Sequence, residues 1–383
     1  MSRSTGTFRV SKFGGEEVRA FLPAPLPPGE PPLVLDSRLV ELHSGALAAV
    51  GRLGVAGAMV PSAHWFLYGF VRKEAVITSE MEGTQATLQD VVTYEATRET
   101  ERPDDVRDVC NYVEALEFSR AQIASPTGLP LTVRLLCEAH KKLMRGVRGA
   151  DKAPGELRRS QNWIGGTRPG NARFVPPPPE AVPELMAQLE TWLHAEDPLP
   201  PLVRAGVAHV QFETIHPFLD GNGRIGRLLV ALLLEHWGLL TSPMLYLSVA
   251  LKRHQQEYYT RLTAVRSGGD WEEWTAFYLQ CVREAADDGV RVAERMFALL
   301  GSDRTKLLAR EDATVAAVRL LDLLPANPVV TLPRVVELLG TTKPTAGKAI
   351  GVLQGAGVLQ ETSGKRRDRI YAYQAYLDAL TGG

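Results

Sequence analysis

The chain has 383 residues, of which 45% are hydrophobic and 23% are charged, and its formal net charge is -1. A nearly neutral chain has no global field that would draw it to nucleic acid or to an anionic membrane, so any such binding would have to be local. The three cysteines, Cys110, Cys137 and Cys281, lie far apart and lack metal-ligand or redox spacing, which is typical of a reducing compartment. The sequence shows no basic and apolar leader, and no apolar run approaches the roughly 20 residues that span a bilayer. We therefore expect a cytoplasmic protein without a membrane partner.

The first half of the chain is predicted to be an extended arm followed by helices. Residues 1–33 are rich in Pro and Gly and are typical of extended chain that packs on the body of a protein. Helical periodicity then favours helices at residues 36 to about 60, 87–97, 104–124 and 132–144. In the segment 155–175, paired glycines and extended residues predict a short β-hairpin.

The second half is predicted to complete a helical bundle and to end in a small module. Further helices of the bundle are expected at residues 180–194, 202–214, 223–234 and 271 to about 300. After Glu311 the pattern indicates three more helices and then two strands joined by a basic loop, with the helices at 313–324, 332–339 and 345–354 and the strands at 358–362 and 369–373. Three helices followed by a hairpin with a basic tip resemble a winged helix. The predicted fold class is mainly α, with a short β-hairpin and this small C-terminal domain.

Two functions are open for the C-terminal module. It could contact DNA through its third helix and the basic loop, since exposed Lys and Arg side chains neutralise phosphates. It could instead pack against a partner protein or against the main body. The third helix offers only Lys348 and Gln354 for contact with bases or phosphates, so nucleic acid is the less favoured partner.

The most informative segment runs from residue 216 to residue 227 and reads HPFLDGNGRIGR. It places a titratable base, a carboxylate, glycines and two arginines directly before an apolar run with helical character. Residues 220–222 suit turns and caps, so a helix is predicted to begin near Gly223. The first turn of a helix presents unpaired backbone N–H groups and the positive end of the macrodipole, and glycines let a ligand approach the backbone closely. The segment therefore has the chemistry of a phosphate site.

The charged side chains of this segment suit the same ligand. Arg224 and Arg227 share one helix face, where two guanidinium groups can hold phosphate oxygens. Asp220 is a natural ligand for Mg²⁺, which prefers carboxylate oxygens and substrate phosphates. A calcium loop of the EF-hand type is excluded, because it would need acidic ligands where Phe218 and Leu229 stand. A purely structural turn would not need a histidine and paired arginines together.

The segment resembles the signature of the Fic family, His-x-Phe-x-Asp/Glu-Gly-Asn-Gly-Arg-x-x-Arg, at every specified position. The resemblance implies a Fic-type helical bundle and the transfer of AMP from ATP to a protein hydroxyl. His216 would act as the base, since a histidine has a reference pKa of about 6.5, and Asp220 would hold the Mg²⁺. A histidine with a structural role alone is the alternative for His216, and His209 is expected in the core or behind the site. The implied nucleotide-binding residues are Gly221, Asn222, Gly223, Arg224 and Arg227.

A second segment, residues 155–166, resembles the flap of the Fic family, with Leu157 where the family has Phe. In the family this hairpin aligns the target protein by edge-strand pairing, and the glycines and extended residues here would allow such pairing. The alternative is a hairpin that only covers the core, with its tryptophan simply buried. The residues expected to dock the target are Trp163, Ile164, Gly165 and Gly166.

A third match lies upstream, where residues 78–83 read TSEMEG. They resemble the inhibitory motif, Ser/Thr-x-x-x-Glu-Gly/Asn, that some Fic proteins carry on an N-terminal helix, and the matching residues are Thr78, Glu82 and Gly83. The resemblance implies that Glu82 pairs with Arg227 in the charge-assisted geometry that Arg and carboxylate groups favour, so that the arginine cannot hold the γ-phosphate of ATP. The alternative is a solvated glutamate on a helix.

A downstream stretch resembles the part of Fic proteins that closes the nucleotide site. It contains the pair Tyr258 and Tyr259, but relatives usually have Asn and then Arg before this pair, where the present chain has His254 and Gln255. We expect His254 and Tyr259 to contact the nucleotide, with His254 against the adenine.

Together these residues predict a self-inhibited protein adenylyltransferase that uses ATP and Mg²⁺. Its protein target is unknown, and self-modification and a homodimer are both open. The predicted domains are an N-terminal arm and helices with the inhibitory motif (1–110), a Fic catalytic core (111–300) and a winged-helix-like domain (311–383). One rival is a Fic enzyme that removes AMP or transfers a phosphoryl group. The other is a winged-helix regulator that binds nucleic acid and uses its Fic body as a ligand sensor.

Overall fold

The structure, a computed structural model, describes residues 3–13, 15–59 and 63–382. Over these residues it is mainly α, as predicted. The elements up to the signature segment are β1 (Gly6–Phe13), β2 (Glu16–Pro23), α1 (Ser37–Ala58), α2 (Ala63–Glu80), α3 (Leu88–Thr97), α4 (Pro103–Ala124), α5 (Val133–Leu143), α6 (Val182–His194), α7 (Pro201–Ile215) and α8 (Asn222–His236). The elements after it are α9 (Leu247–Arg253), α10 (Gln255–Gly268), α11 (Trp271–Leu308), α12 (Val315–Leu323), β3 (Val329–Thr331), α13 (Leu332–Leu339), α14 (Lys343–Gly355), β4 (Gln360–Glu361), β5 (Ile370–Ala372) and α15 (Gln374–Thr381).

The described residues form two compact units, each assembled from segments that are distant in sequence. Those of the first unit lie within Met1–Gly51, Asn111–Pro243 and Leu247–Ala285. Those of the second lie within Arg52–Cys110, Met244–Tyr246 and Ala286–Gly383. The division into three consecutive domains therefore stays a prediction.

The core of the first unit is built around α7 and α8. The helix α7 starts at Pro201, whose fixed φ suits a first helical turn, and every residue from Leu202 to Ile215 is buried. A helix that is buried all round belongs to the centre of a core. Each fully buried Val, Leu or Ile side chain stabilises the fold by about 1.5–3 kcal/mol. The helix α8 begins at Asn222, close to its predicted start, with Gly221 at its N-cap.

The extended arm of the sequence prediction is a β-hairpin. Strands β1 and β2 pair antiparallel over their whole length, from Gly6 opposite Pro23 to Phe13 opposite Glu16. Because strand side chains alternate between faces, Val18 and Ala20 are buried on one face of β2, where they pack with Val175. Extended backbone was predicted here, but the pairing was not, since composition does not specify a register.

The predicted flap hairpin is reduced to one antiparallel bridge, between Ile164 and Phe174. The turn between them uses Gly165 and Gly166, whose φ angles of 68° and 75° favour glycine. Pairing ends at the proline run 176–179, because proline has no N–H to donate to a ladder.

The second unit joins the C-terminal module to α2 and α3. Its sheet has the order β3-β5-β4, α13 packs beside β3, and α12 and α14 pack against α13 and each other. The side chain of Leu380 on α15 lies against Gly69 of α2, and Lys73 Nζ donates to the Leu380 carbonyl oxygen at 2.7 Å. The sequence predicted three helices and two strands here but missed β3, α15 and α2. The helix α2 is rich in aromatic and β-branched residues of modest helix propensity, so its packing decides its conformation.

One helix among the described residues, α1, is long and apolar enough to cross a membrane by length and composition. Its arginines nevertheless pair with carboxylates of the protein: Arg38 with Glu273, and Arg52 with Asp287 at 2.7 Å. A single such helix is weak support for membrane insertion.

Candidate active site

The helix α7 ends at His216, which stands at its C-cap with φ 50° and ψ 62°. This left-handed conformation costs a non-glycine residue on the order of 1–3 kcal/mol and persists only where the surroundings impose it. The backbone N–H of His216 donates to the Phe212 carbonyl oxygen at 2.9 Å. Its side chain is 20% exposed, and its Nδ1 lies 4.0 Å from a carboxylate oxygen of Glu213. The imidazole therefore stays accessible at the end of a buried helix.

Arg158 holds His216 in this conformation. Its Nε donates to the His216 carbonyl oxygen at 2.9 Å, and its Nη2 donates to the Pro177 and Ile215 carbonyl oxygens. Its own backbone N–H donates to the Pro217 carbonyl oxygen at 2.9 Å. Burial lowers the pKa of Arg158 to about 10, so the guanidinium stays charged at neutral pH. The flap motif contained this arginine, but no role for it followed from the sequence.

Asn222 holds the loop between the two helices. Its Oδ1 accepts from the Phe218 N–H and its Nδ2 donates to the Phe218 carbonyl oxygen, both at 2.8 Å. Asn162 of the flap also donates to that carbonyl oxygen, at 3.1 Å. The Asn222 side chain is buried and engaged with the loop backbone, and contact of Asn222 with the nucleotide stays a prediction. This leaves its backbone as the part that can meet a ligand.

His140 on α5 connects the loop to the start of the flap. Its Nδ1 accepts from the Gly155 N–H at 2.9 Å, so the proton of the neutral ring lies on Nε2, which donates to the Asp220 carbonyl oxygen at 3.0 Å. The ring stacks on Phe218 with centroids 3.9 Å apart. Burial lowers the pKa of His140 to about 4 and keeps it neutral. The sequence analysis missed this residue, whose one signal is its place among the leucines on the apolar face of α5.

The start of α8 forms a positively charged cradle. Gly221 has φ 74°, and a Cβ there would come within 3.0 Å of Met144 Sδ. Arg224 and Arg227 are both buried, and Arg224 Nη2 lies 3.8 Å from Asp220 Oδ1. Gly223 is only half-buried. Unpaired N–H groups of a first turn together with two guanidinium groups can bind an anion such as a phosphate.

Asp220 stands beside this cradle with a side chain that is 41% exposed. Its Oδ1 accepts from the Gly221 N–H at 2.6 Å. Its Oδ2 faces Gly149, where a Cβ would come within 2.8 Å, so a residue without a side chain suits that position. The described residues contain no cluster of three or more metal-ligating side chains. A lone accessible carboxylate fits Mg²⁺, which is commonly bound by one or two carboxylates together with substrate phosphates.

The flap side chains contact the N-terminal hairpin. Trp163 packs against the buried cluster of Val18, Ala20 and Val175. Ile164 exchanges backbone hydrogen bonds with Phe174, at 2.8 and 3.1 Å. The hairpin β1–β2 therefore supports the segment that the sequence assigns to target docking.

His254 and Tyr259, which are predicted to contact the nucleotide, lie beside and on α10. His254 Nε2 lies 3.0 Å from Glu284 Oε2, which also accepts from Arg253 at 3.1 Å. Tyr259 is 40% exposed. Their contact with the nucleotide stays a prediction. The sequence analysis assigned no role to Tyr258, whose hydroxyl lies 2.9 Å from Nε2 of the buried His209.

Comparison with family models places this site in a known family. Residues 130–234 match the model described as Fic/DOC family, and residues 40–121 match the model described as Fic/DOC family N-terminal. The segment that contains the site is a Fic domain. The Fic segment 130–234 contains the residues that hold His216 and Asp220 in place, from α5 through the flap to α8.

Curated relatives are protein adenylyltransferases. The chain is 29% identical over 186 residues to the protein adenylyltransferase Fic of Drosophila willistoni, and 30% identical over the same length to that of Culex quinquefasciatus. Each match covers 48% of this chain and 34% of the relative. The chain thus spans about a third of the length of the curated relatives it matches.

Solved structures of Fic proteins share the fold. A Fic family protein from Desulfovibrio desulfuricans G20 matches with a TM-score of 0.56 and 23% identity, over 89% of this chain and 97% of that one. Fic-1 (aa134 - 508) from C. elegans matches with a TM-score of 0.50 and 20% identity, over 69% of this chain and 74% of that one.

The segment that resembles the inhibitory motif, residues 78–83, lies at the end of α2. Thr78 is buried in the helix, whereas Glu82 lies in the turn that follows it and is half-buried. The Glu82 N–H donates to the Ser79 carbonyl oxygen at 3.0 Å, and Gly83 has φ 95°. The motif was predicted on a helix, and the structure puts its glutamate just past the helix end. Pairing of Glu82 with Arg227 stays a prediction.

Proposed function

We propose that this Fic protein is a protein adenylyltransferase, which transfers AMP from ATP to a Ser, Thr or Tyr hydroxyl of a target protein or of itself. The observation that carries the proposal is the attachment of the flap to the signature loop. Arg158 bonds to His216, and His140 bonds to both Gly155 and Asp220. A base, an anion cradle and a target-docking segment thereby belong to one framework. The adenylyltransferase activity named for the curated relatives supports the same reaction.

The chemistry follows from the placement of His216. Its imidazole accepts the proton of the target hydroxyl while that oxygen forms a bond to the α-phosphorus of ATP. The bond from the α-phosphorus to the bridging oxygen breaks, and pyrophosphate leaves. The Glu213 carboxylate, 4.0 Å from Nδ1, stabilises the positive charge that develops on the ring. Arg224 and Arg227 bind phosphate oxygens at the start of α8.

Asp220 would hold Mg²⁺ in this reaction. When bound, the ion would neutralise charge on the phosphates of ATP. The chain's own residues orient its ligand: the Gly221 N–H binds one carboxylate oxygen, and His140 binds the carbonyl of the same residue.

The same proposal includes self-inhibition through Glu82. A carboxylate paired with Arg227 would occupy the guanidinium that should hold the γ-phosphate, so ATP would bind in an unproductive position. The match of residues 40–121 to the Fic N-terminal model supports an N-terminal region of the family's kind.

We also propose a role for the C-terminal module and a cellular location for the protein. The C-terminal module is a winged-helix domain that contacts protein rather than nucleic acid. Its strand β3 packs against α3, and its helix α15 packs against α2 and α3, all within the same unit. The protein works in the cytoplasm, and its oligomeric state, including a homodimer, is open to sedimentation measurements.

The test is the variant His216→Ala, which removes the base and leaves the anion cradle. Incubation with ATP labelled at the α-phosphate should label wild-type protein or a lysate target, and the variant should lose this label while its affinity for ATP is kept. Parallel incubation with ATP labelled at the γ-phosphate identifies phosphoryl transfer, and loss of label from a pre-modified target identifies AMP removal. Labelling by His216→Ala at the wild-type rate would contradict the assignment of the base.

A further inference from the structure

A groove lies between the N-terminal hairpin, the chain that follows the flap turn, and α10. Its cavity volume is about 370 Å³, and its lining includes Phe8, Arg19, Phe21, Arg173, Phe174 and Arg266. We call it the hairpin groove. All its walls belong to the first compact unit.

The floor of the hairpin groove is fastened to the end of α7. The half-buried Arg266 donates to the Glu213 carbonyl oxygen at 3.0 Å and to Thr214 Oγ1 at 3.1 Å. Its guanidinium lies 4.1 Å from the ring centroid of Phe174. Because α7 ends at His216, the groove and the catalytic histidine are fixed to the same helical turn.

The groove is also continuous with the flap. Phe174, which lines it, forms the backbone bridge with Ile164. The next residue, Val175, accepts at its carbonyl oxygen from the Phe21 N–H of β2, at 3.0 Å. A chain aligned along the flap would therefore run beside the mouth of the groove in an extended conformation.

The side chains of the groove combine aromatic surface with positive charge. Phe8 is 56% exposed, and its ring meets Phe21 edge-on with centroids 5.3 Å apart. Arg19 lies 5.0 Å over the Phe8 ring. In the part of the chain that the structure describes, neither Arg19 nor Arg173 makes an ion pair, and the groove lining holds one carboxylate, Glu17. Three arginines and one carboxylate favour an acidic ligand.

We propose that the hairpin groove binds an extended segment of the target protein, in which a large apolar side chain fills the groove and a neighbouring acidic residue pairs with Arg19 and Arg173. This proposal rests on the proposed function, because it assigns a sequence preference to the adenylyltransferase. The target hydroxyl would lie in the part of the segment that follows the flap towards His216. The apolar anchor gives affinity, and the arginines select against basic segments.

The test uses two synthetic peptides that carry fluorescein and differ only at the two charged residues that flank Phe. One contains Gly-Thr-Gly-Asp-Phe-Glu-Gly and the other contains Gly-Thr-Gly-Lys-Phe-Lys-Gly, and binding to the full chain is followed by fluorescence anisotropy without ATP. The acidic peptide should bind at least about tenfold more tightly than the lysine peptide. Arg173→Glu and Arg19→Glu should each weaken the acidic peptide by about fivefold or more, since each places a like charge against it. Phe8→Ala should weaken both peptides.

The matched control is Arg134→Glu, which makes the same charge change at an exposed position of α5 outside the groove. It should bind both peptides as wild type does. Equal binding of the two peptides, or binding by Arg173→Glu and Phe8→Ala within twofold of wild type, would overturn the proposal. So would concentration-dependent self-association in sedimentation that these two variants abolish, because the occupant would then be a second copy of the chain.

Because the peptides are measured without ATP, the two hypotheses fail separately. If the wild-type protein binds the acidic peptide selectively but never incorporates labelled AMP, the adenylyltransferase function is refuted and the groove proposal stands. If the protein incorporates AMP but binds the two peptides equally, only the groove proposal is refuted.

Discussion

At the scale of single residues, the site depends on side chains that act on backbone rather than on ligand. The side chains of Arg158 and Asn222 form hydrogen bonds with backbone carbonyl and N–H groups of the signature segment. His140 does the same from a different helix. Such positioning matters because misplacement of a reacting group by about 1 Å can cost roughly a hundredfold in rate.

His140 provides a direct test of positioning. His140→Phe keeps an aromatic ring against Phe218 but loses the hydrogen bonds to Gly155 and Asp220. We expect a rate of AMP transfer lower by about 10- to 100-fold and a higher Mg²⁺ concentration at half-maximal rate, as found when residues that orient a metal ligand are removed. His140→Gln, which can accept from one partner and donate to the other, should recover part of both quantities. An unchanged Mg²⁺ midpoint in a folded His140→Phe would limit this residue to a packing role.

The burial of His209 should make the stability of the first unit depend on pH. Its burial lowers the pKa to about 4, below the ordinary value of about 6.5 that applies in the unfolded chain. Between these values the unfolded chain binds a proton that the folded protein does not. The stabilisation is therefore complete above about pH 6.5 and is lost as the pH falls towards 4, by up to about 1.4 kcal/mol per pH unit.

Urea unfolding of wild type and of His209→Gln at pH 7, 6 and 5 measures this contribution. Wild type should lose about 2 kcal/mol more than the variant between pH 7 and pH 5. Between pH 7.5 and pH 8.5 the difference in unfolding free energy should stay constant. Profiles that run parallel down to pH 5 would show that His209 does not titrate as its burial implies.

At the scale of elements, the self-inhibition proposed for the end of α2 can be tested by substitution. Glu82→Gly should raise AMP incorporation, because freeing Arg227 lets it hold the γ-phosphate and align the α-phosphorus. Adding Arg227→Ala should remove that gain. Labelled AMP incorporation is measured for wild type, both single variants and the pair, which yields the coupling between the two positions. Unchanged labelling by Glu82→Gly at saturating ATP would refute self-inhibition without touching the role of His216.

At the scale of the whole molecule, α2 and the C-terminal module belong to one compact unit. Leu380 of α15 lies on Gly69 of α2, and Lys73 donates to the Leu380 carbonyl oxygen. The tail is therefore part of the support of α2 rather than an independent appendage. This arrangement links the stability of the motif at residues 78–83 to residues near the end of the chain.

Removal of the chain after Glu311 should consequently raise self-labelling and lower the thermal stability of the remaining protein. The reason is that α2 loses its contacts with α15, and the motif at residues 78–83 loses the helix packing that supports it. Gly69→Ala tests the same contact in the full chain, since a Cβ there would come within 2.8 Å of the Leu380 side chain. Gly351→Ala is the matched control, because this helical glycine of α14 has open space around it. Self-labelling is compared at equal protein concentration. If the truncated protein is folded and labels itself no faster than wild type, the C-terminal module does not contribute to self-inhibition.

Much of the helical fold and the candidate site was predictable from local pattern. Helical periodicity located most of the helices, and the signature segment located the start of α8 through its glycines and caps. These features depend on the chemistry of neighbouring residues, so they can be read along the chain. Elements with weak local signals were missed, among them α2, β3, α15 and the pairing of β1 with β2.

The sequence by itself indicated the family resemblance, the expected base and the expected Mg²⁺ ligand, because each depends on residue types at short spacing. Only the tertiary structure decided that Asn222 holds the loop, that Arg158 and His140 hold His216 and Asp220, and that α15 supports α2. The physical reason is that a buried polar atom takes whichever partner the packing brings within hydrogen-bond distance. Those partners lie from four to more than three hundred positions away in the chain, so no local pattern can name them.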